Sequence, residues 1–293
     1  MNRHGTLAFG NRMAVRQEIL RRAKALPTLS PVLQRITLIL EDPRASAHQV
    51  AAAIEGDQVM TSKVLRLVNS AFYGFPRKVA SVSQAVVILG LATVKNLVLG
   101  TAVMEAFRGG PEGRRFHRQA FWRHSLGCAV AARVLGGRLG VDRDEHCFVA
   151  GLLHDLGKVV LDVFFQEAYD EAVALAEKEN LLLVTAEERV LGITHAEVGE
   201  ILAEVWQFPP ALVEALRFHH QPPLATRAPA LVRVVHVADI LTRVLAMGWS
   251  GDQRIPLLVP GVLEGLKTDV AFLRSCLPEV DRGRELADLF LGG

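Results

Sequence analysis

The sequence has few cysteines, and their arrangement excludes a scaffold held together by disulfide bonds. Only three occur in 293 residues, Cys128, Cys147 and Cys276, and no two of them form a CxxC pair. Each stands among apolar neighbours, as small buried side chains do. We therefore interpret them as core residues of a protein from a reducing compartment and expect a cytoplasmic location.

Long apolar runs are also missing. The first 25 residues contain no apolar signal core, and no stretch of the chain approaches the roughly 18 uninterrupted apolar residues of a membrane span. The sequence therefore predicts neither secretion nor a membrane partner.

The net charge is small. Thirty-three Lys and Arg residues against 31 Asp and Glu residues leave +2, which provides no overall electrostatic attraction to nucleic acid. Two Tyr and three Trp residues are too few for a surface on which single-stranded bases stack. The first 26 residues are locally basic, with Arg16, Arg21 and Arg22 among their cations, and a solvated helix face accounts for this. The sequence therefore disfavours a nucleic-acid partner.

Helical patterns fill the remaining chain. Half of the residues are hydrophobic and 22% are charged, as in a folded globular protein. In segment 59–70 the predicted buried stripe consists of Val59, Val64, Leu65, Leu67 and Val68. A hydroxyl residue stands three positions before Glu or Gln at 81–84, 185–188 and 194–197, which is typical of a capped helix N-terminus. We predict an all-α fold.

The clearest break in these patterns is the segment Gly109–Gly113, which reads GGPEG. Gly and Pro together end helices and favour exposed connections. We place a domain boundary there, with a small helical bundle over residues 1–112 packed on a helical domain over residues 113–293. The first half contains no carboxylate pair, Gly-rich phosphate loop or His cluster, and we interpret its polar residues Asn69, Ser70 and Tyr73 as a helix end.

Two segments of this first half resemble a known family. They are Leu65–Gly74, which reads LRLVNSAFYG, and Ala85–Leu91, which reads AVVILGL. Both are similar to motifs of the HDOD family, the helical output modules of bacterial signalling that are related to HD phosphohydrolases. The resemblance extends over residues 20–240 or so and implies a regulatory helical module whose second half is HD-like.

Histidines are concentrated in the second half, where eight of the ten lie after residue 115. In segment 148–161, His154, Asp155 and Lys158 interrupt an otherwise apolar helix. Buried charges are costly unless they are paired, so these groups need one another or a cation. The candidate metal ligands, in chain order, are His124, His154, Asp155, His195, His219, His220 and Asp239.

Imidazole nitrogens and carboxylate oxygens together suit divalent Fe, Mn, Zn or Ni. Taken singly, His124 and His195 are better explained as core or capping histidines. Asp239 alone is explained as an ordinary polar residue of a helix, and the His219–His220 pair as a solvated helix end. The order of the whole series, within apolar helices, favours a divalent transition-metal site.

The series resembles the metal ligands of the HD superfamily, residue by residue. We expect two ions bridged by Asp155, one held with His124, His154 and Asp239 and the other with His195, His219 and His220. Such ions would bring the pKa of a shared water toward neutrality and stabilise an in-line displacement at phosphorus. Asp155 and Lys158 are the candidate catalytic residues, and Lys158 matches the lysine of the HDxGK motif in HD-GYP relatives, which cleave cyclic dinucleotides.

Two departures from those relatives limit the resemblance. Residues 221–223 read QPP and not Gly-Tyr-Pro, and Ala120 stands where some trinuclear relatives carry Glu. We therefore expect no third ion and no recognition of a guanine dinucleotide by the usual loop. His236, one turn before Asp239, could support that carboxylate, but a packed histidine is the preferred interpretation.

The sequence predicts an HDOD-type signal-transduction protein that retains an HD-like, two-ion metal site. We expect its input to come from a signalling protein or a nucleotide-type ligand. The alternative is an active metal-dependent phosphohydrolase that cleaves a nucleotide or a cyclic dinucleotide. A third possibility is a structural scaffold whose histidines are satisfied by hydrogen bonds.

Overall fold

The computed structural model describes residues 12–25, 46–70, 73–107, 114–141 and 146–291. The regular structure in these ranges is entirely helical, with no strand, so the all-α prediction is confirmed. Among these residues, no helix combines the length and the apolar character needed to cross a bilayer. The boundary predicted at 109–113 lies outside the described residues, and the division into two domains stays a prediction.

Five helices are described before residue 108, and the last four of them form a small bundle. They are α1 (Arg12–Ala25), α2 (Ala47–Glu55), α3 (Gln58–Val68), α4 (Val82–Leu89) and α5 (Leu91–Ala106). Helix α2 packs against α4, and α3 packs against α5. The stripe predicted for α3 is wrong at Val59, which is 62% exposed. Met60 lies on the core face instead, because positions 60, 64, 67 and 68 share one side of a helix.

The second half is built around one long helix, α6. Its helices are α6 (Arg118–Leu139), α7 (His146–Leu153), α8 (Leu156–Phe164), α9 (Gln166–Glu179), α10 (Leu183–Leu191), α11 (His195–Val205), α12 (Pro210–Phe218), α13 (Pro229–Val244), α14 (Val262–Gly265), α15 (Val270–Asp281) and α16 (Arg284–Leu291). Helix α6 packs against α7, α13 and α16, and α8 packs against α11. These contacts surround the buried histidines with helices.

The two halves share a hydrophobic core. Helix α5 packs against α7, α3 packs against α16, and α1 packs against α11 in the second half. The buried apolar side chains of both halves belong to one continuous cluster. The predicted packing of the bundle on the second half is therefore confirmed.

Two of the three predicted capped helix starts are confirmed. Ser81 accepts a hydrogen bond from the backbone N–H of Gln84, and Thr194 forms a reciprocal capping box with Glu197 at the start of α11. The third is wrong, because α10 begins at Leu183. The Leu183 amide donates to Asp252 at 2.9 Å, a residue 69 positions away. A tertiary contact sets this helix start, so local sequence does not reveal it.

The continuous helix predicted over 148–161 is also wrong. The chain turns at His154 and Asp155, between α7 and α8. His154 donates a hydrogen bond from Nδ1 to the carbonyl of Gly151 at 2.7 Å, and such side-chain bonds compete with the helical backbone ladder. The turn sends both polar side chains into the protein interior.

Candidate metal centre

The seven predicted ligands come from separate elements and meet in the interior. Helix α6 supplies His124, the α7–α8 turn supplies His154 and Asp155, α11 begins with His195, His219 and His220 follow α12, and α13 supplies Asp239. Six of them are at most 1% exposed, and His220 is partly exposed. The structure thus brings all seven side chains together, while their role as metal ligands stays a prediction.

Their donor atoms divide into two groups. The first group consists of His124, Cys128, His154 and Asp239, with one donor atom from each residue and all four atoms within 4.8 Å of one another. His124 Nε2 lies 3.1 Å from Asp239 Oδ1 and 3.4 Å from the sulfur of Cys128. Cys128 is the member that the sequence did not predict.

The second group consists of Asp155, His195, His219 and His220, again within 4.8 Å of one another. His195 Nε2 lies 3.0 Å from His220 Nε2 and 3.4 Å from His219 Nε2. Asp155 Oδ1 lies 3.1 Å from His195 Nε2 and 3.5 Å from His219 Nε2. This group contains three imidazoles and one carboxylate.

Asp155 lies between the two groups. While its Oδ1 faces the second group, its Oδ2 lies 3.2 Å from His154 Nε2 and 3.8 Å from His124 Nε2. Lys158 donates from Nζ to the same Oδ2 at 2.6 Å and to the carbonyl of Ser250 at 2.8 Å. The buried ammonium and carboxylate are therefore paired, as expected from the sequence.

Hydrogen bonds orient three of the imidazoles. The Nδ1 atoms of His154 and His219 donate to the carbonyls of Gly151 and Leu216, at 2.7 and 2.9 Å. His195 Nδ1 donates to the carboxylate of Glu187 at 2.6 Å. A carbonyl can only accept, so Nδ1 of His154 and of His219 carries a proton, and in the neutral ring the lone pair is on Nε2, the tautomer found in histidines that bind metals.

His236 supports the site from outside. Its Nδ1 donates to the carbonyl of His219 at 2.8 Å, and its Nε2 accepts from the amide of Val259 at 3.1 Å. Both ring nitrogens are used by the backbone, so His236 is a packed histidine, as the sequence suggested, that fixes the chain at His219.

Burial and neighbouring charges set the protonation of the site. Burial lowers the pKa of His219 to about 4 and lowers those of His124 and His220, so these rings are neutral at pH 7. Burial raises the pKa of Asp155, but His154 and Lys158 outweigh burial and hold it well below its usual value. His195 is different, because the Glu187 carboxylate outweighs burial and raises its pKa.

Unsatisfied atoms test whether the residues fit a metal. No hydrogen bond reaches the buried His154 Nε2 or Asp155 Oδ1, and an unpaired buried polar atom is costly. Two donors on one tetrahedral ion stand about 3.3–3.8 Å apart, given bonds of about 2.0–2.3 Å. Two donor pairs of the first group and four of the second lie 3.0–3.5 Å apart, which is close to this range, and all donors of each group lie within 4.8 Å of one another. The residues therefore fit divalent ions.

A glycine permits the approach of two elements that carry these ligands. A Cβ atom on Gly157 would lie 1.9 Å from the backbone oxygen of His195, which is inside any allowed contact. Only glycine lets α8 come this close to the start of α11. The glycine of the HDLGK segment therefore determines the distance between Asp155 and His195.

Several residues of the site were not predicted. Arg243 donates to Asp239 at 2.9 Å and to Asp252 at 3.0 Å, and Glu187 holds His195 through both its ring and its backbone amide. Cys128 and Arg243 each follow a predicted ligand by four positions. Residues four apart share a helix face, and this spacing is the signal that could have identified them.

A groove of about 860 Å³ lies beside the second group. His220 contributes to its lining, together with apolar side chains such as Leu182 and Leu257 and the charged residues Arg217 and Arg254. None of the described residues that line it belongs to the first group. The groove thus gives access to the second group alone.

The departures noted in the sequence have structural counterparts. The backbone carbonyl of Ala120 accepts from the amide of Trp249 at 3.0 Å, and its side chain offers no ligand. Residues Pro222–Leu224 form a single 3-10 turn after His220. Neither position adds a donor to the two groups.

Comparisons with known proteins agree with this architecture. A family model of the HDOD domain matches residues 26–222. A solved HDOD domain protein of unknown function from Geobacter sulfurreducens is 29% identical, with a TM-score of 0.77, and the match covers 94% of this chain and 98% of that one. A proposed phosphohydrolase from Shewanella amazonensis SB2B is 25% identical, with a TM-score of 0.74 and coverage of 93% and 97%.

A curated relative is longer than this chain. An uncharacterised protein of Treponema pallidum (strain Nichols) is 25% identical over 232 residues, which are 79% of this chain. The matched part spans only 44% of the length of that relative.

Proposed function

Because the chain belongs to the HDOD domain family, we propose that it is a regulatory protein of bacterial signal transduction that retains an HD-like centre for two metal ions. The supporting observation is the burial of this centre: six of the seven candidate ligands are at most 1% exposed, and of the seven only His220 lines the groove. A phosphodiester must reach the ions to be cleaved, whereas ions that organise a regulatory fold need no such access.

Each group of donors would hold one ion. Bound divalent ions would supply Lewis-acid stabilisation of phosphate oxygens and activation of water. Among the chain's own residues, Glu187 fixes the ring of His195, Lys158 balances the charge of Asp155, and Arg243 balances that of Asp239. These partners hold the ligands in place before any ion binds.

The groove beside His220 supports a regulatory role. A ligand in it would contact α10, α11 and the segment around residue 256, as well as one residue of the second group. Its apolar walls suit a nucleotide-type ligand or a segment of a signalling partner, and its two arginines, Arg217 and Arg254, stand in the lining beside the carboxylates of Glu188 and Glu197. Occupation of the groove would therefore be coupled to the metal centre. The three cysteines are buried and form no disulfide, which agrees with a cytoplasmic location for this signalling.

One observation favours a second function, a metal-dependent phosphohydrolase. His220 is partly exposed and lies next to Arg217 in the lining of the groove, so a phosphate there could reach the second group. The Shewanella amazonensis relative is itself a proposed phosphohydrolase. In this function Lys158 would have to leave Asp155 to contact the substrate.

Assays of turnover distinguish the two functions. Protein purified without affinity nickel or chelator is incubated with Mn²⁺ or Fe²⁺ and with bis(p-nitrophenyl) phosphate or cyclic dinucleotides, beside an Asp155→Ala control. We expect the metals to raise the melting temperature of the wild-type protein while hydrolysis stays at the level of the control. Metal-dependent hydrolysis that disappears in the control would reject the regulatory proposal in favour of the phosphohydrolase.

A further inference from the structure

The first group of donors contains a cysteine where HD-like centres are expected to use only histidine and aspartate. Helix α6 carries Cys128 one turn after His124, so both side chains leave the same helix face. Cys128 is fully buried and its sulfur lies 3.4 Å from His124 Nε2. Its position is therefore among the ligands and not merely in the surrounding core.

We infer that Cys128 is a thiolate ligand and that it makes the first group a closed zinc site, formed with His124, His154 and Asp239. The inference rests on the proposed metal centre and adds to it the fourth ligand and the class of ion. The two sites would then differ in chemistry, with a thiolate in one and three imidazoles in the other.

The geometry around Cys128 suits a tetrahedral ion. Bonds of about 2.0–2.3 Å to nitrogen, oxygen and sulfur separate the donors of one zinc ion by about 3.3–3.8 Å. The sulfur lies 3.4 Å from His124 Nε2, and Asp239 Oδ1 lies 3.1 Å from that nitrogen. Four ligands from the protein fill a tetrahedral shell and leave no position for water or substrate, as in structural zinc sites.

An unpartnered nitrogen provides a second, independent observation. His154 is fully buried, its Nδ1 is held by a carbonyl, and no hydrogen bond reaches its Nε2. His154 contributes one ring nitrogen to the set of donors within 4.8 Å of one another that includes the Cys128 sulfur. Because Nδ1 is bound to the Gly151 carbonyl, the nitrogen left for an ion is Nε2. Asp155 Oδ2 lies 3.2 Å from this nitrogen, and a lone pair that faces a carboxylate oxygen is repelled unless a cation lies beside both.

Asp155 is a poorer fourth ligand for this site than Cys128. Its Oδ2, the oxygen on the side of the first group, lies 3.2 Å from His154 Nε2 but 3.8 Å from His124 Nε2, and it already accepts a hydrogen bond from the Lys158 ammonium at 2.6 Å. Its Oδ1 faces the second group. Cys128 therefore completes the first site while Asp155 serves the second.

The second group differs from the first in its donor atoms and in its access to the groove. Three imidazoles and a carboxylate suit Fe, Mn, Ni or Zn, and His220 connects this group to the groove. The closed thiolate site would stabilise the packing of α6, α7 and α13, while the other site stays accessible to a ligand.

Cobalt provides a spectroscopic test, because a thiolate bound to Co²⁺ gives an intense charge-transfer band in the near ultraviolet. The metals of the full-length protein are replaced by Co²⁺, and the absorption spectrum and the bound cobalt are measured. We expect the band in the wild-type protein and its loss in Cys128→Ser, with bound cobalt falling from two ions to one. Cys147→Ala is the matched control, since Cys147 is equally buried but lies outside both groups, and it should keep the band.

The wild-type spectrum decides the matter even if Cys128→Ser does not fold. A wild-type protein that binds Co²⁺ without a charge-transfer band would overturn the inference and leave the proposed metal centre standing. A folded Cys128→Ser that retains the band would overturn the inference as well. A wild-type protein that binds no Co²⁺ would overturn the inference and the proposed centre together.

Discussion

At the scale of single residues, the two carboxylate oxygens of Asp155 have different surroundings. One of its oxygens accepts the buried ammonium of Lys158, and the other lies among imidazole nitrogens with no hydrogen bond of its own. A buried ion pair contributes little net stability, but breaking it by removing one partner leaves an unpaired charge in the interior. The pair therefore keeps the carboxylate ionised and available to a cation.

We predict strong coupling between Asp155 and Lys158. In metal-free protein, Asp155→Asn and Lys158→Met should each lower the free energy of unfolding by about 3–5 kcal/mol. The double variant should lose much less than the sum of the two, because no charge is then left unpaired. Denaturant unfolding of the four proteins measures the coupling, and additive losses would contradict the account.

The surface pair of Arg189 and Glu179 is the control for this cycle. Its atoms lie 2.8 Å apart, but the side chains are 52% and 44% exposed. Solvent screening limits such pairs to about 1 kcal/mol or less. If the coupling energy of Arg189 and Glu179 equalled that of Asp155 and Lys158, burial would not be the cause of the strong coupling.

Glu187 should matter to metal affinity although it is not a ligand. It holds Nδ1 of His195 at 2.6 Å, and losing such a partner typically weakens metal binding about 10–100-fold. We expect Glu187→Ala to reduce affinity by this factor in a competition titration with a chelating dye. The exposed neighbour Glu188 provides the control Glu188→Ala, whose affinity should stay at the wild-type level.

The residues of the site were predictable to different degrees. The ordered histidines and aspartates stand out because polar groups are rare in apolar helices. Cys128 did not, since a buried cysteine reads the same whether it packs or binds an ion. Glu187 was hidden because the hydroxyl pattern at 185–188 suggests a helix start, whereas Asp252 determines that start through space.

At the scale of elements, the contact between α8 and α11 determines the second group. We predict that Gly157→Ala lowers the free energy of unfolding by about 1–3 kcal/mol, as overpacking does, and weakens metal binding. Its Cβ would collide with the backbone of His195, only 1.9 Å away. Thermal unfolding and metal titration of the variant measure both effects.

Gly137→Ala is the matched control for this substitution. Gly137 lies in α6, is exposed, and a Cβ there would meet nothing within 4 Å. Alanine should raise stability by about 0.5–1 kcal/mol through helix propensity alone. If Gly157→Ala raised the free energy of unfolding as Gly137→Ala should, the close approach of α8 and α11 would be ruled out.

A carboxylate of α12 binds the backbone amides just before α13, the helix that contains Asp239. Glu214 of α12 accepts the backbone amides of Thr226, Arg227 and Ala228, at 2.7, 2.9 and 2.6 Å. Burial raises the pKa of Glu214, but these three amides outweigh burial and hold it below its ordinary value of 4.5. The carboxylate therefore stabilises the start of α13 while it is ionised.

We predict that this stabilisation depends on pH. A carboxyl whose pKa is lower in the folded state stabilises the protein above its unfolded pKa, and the effect is lost as the pH falls through the folded pKa. Glu214→Gln should thus cost about 1–3 kcal/mol at pH 7 and less at pH 3. Denaturant unfolding at both pH values tests this, with exposed Glu171→Gln as control, and an equal loss at both pH values would contradict it.

Elements were predicted well where their signals are local. The helices capped by Ser81 and Thr194 begin where hydroxyl and Glu or Gln spacing places them. No proline stands near the turn at His154, and Gly151 lies inside α7 and not at its end. The turn is produced by a ring-to-backbone hydrogen bond within the core, and helical periodicity carries no information about such a bond.

At the scale of the whole molecule, the class of fold follows from the helical periodicity, and the HDOD motifs led to the family. The crossing of α1 onto α11 could not be predicted, since periodicity shows which face of a helix is buried but not what covers it. Both halves contribute to one hydrophobic cluster, so the candidate metal centre lies within a fold whose core both halves build.

Ions bound to this interior should stabilise the whole fold. A ligand that binds only the folded state adds about 2.7 kcal/mol at a hundred times its dissociation constant. We therefore expect prolonged treatment with a chelator to lower the melting temperature by several degrees, with recovery on adding Zn²⁺ and Mn²⁺ together. Asp155→Ala, which lacks the carboxylate between the two groups, should recover less than the wild-type protein.

The central claim is that these buried histidines and aspartates converge on cations. Its most direct test is elemental analysis of protein purified without affinity nickel or chelator. We predict two divalent transition-metal ions per chain, and loss of the ion of the second group in Asp155→Ala while its circular dichroism stays close to that of the wild-type protein. A folded wild-type protein that contains no metal and takes none up, or an Asp155→Ala protein that retains both ions, would contradict the account.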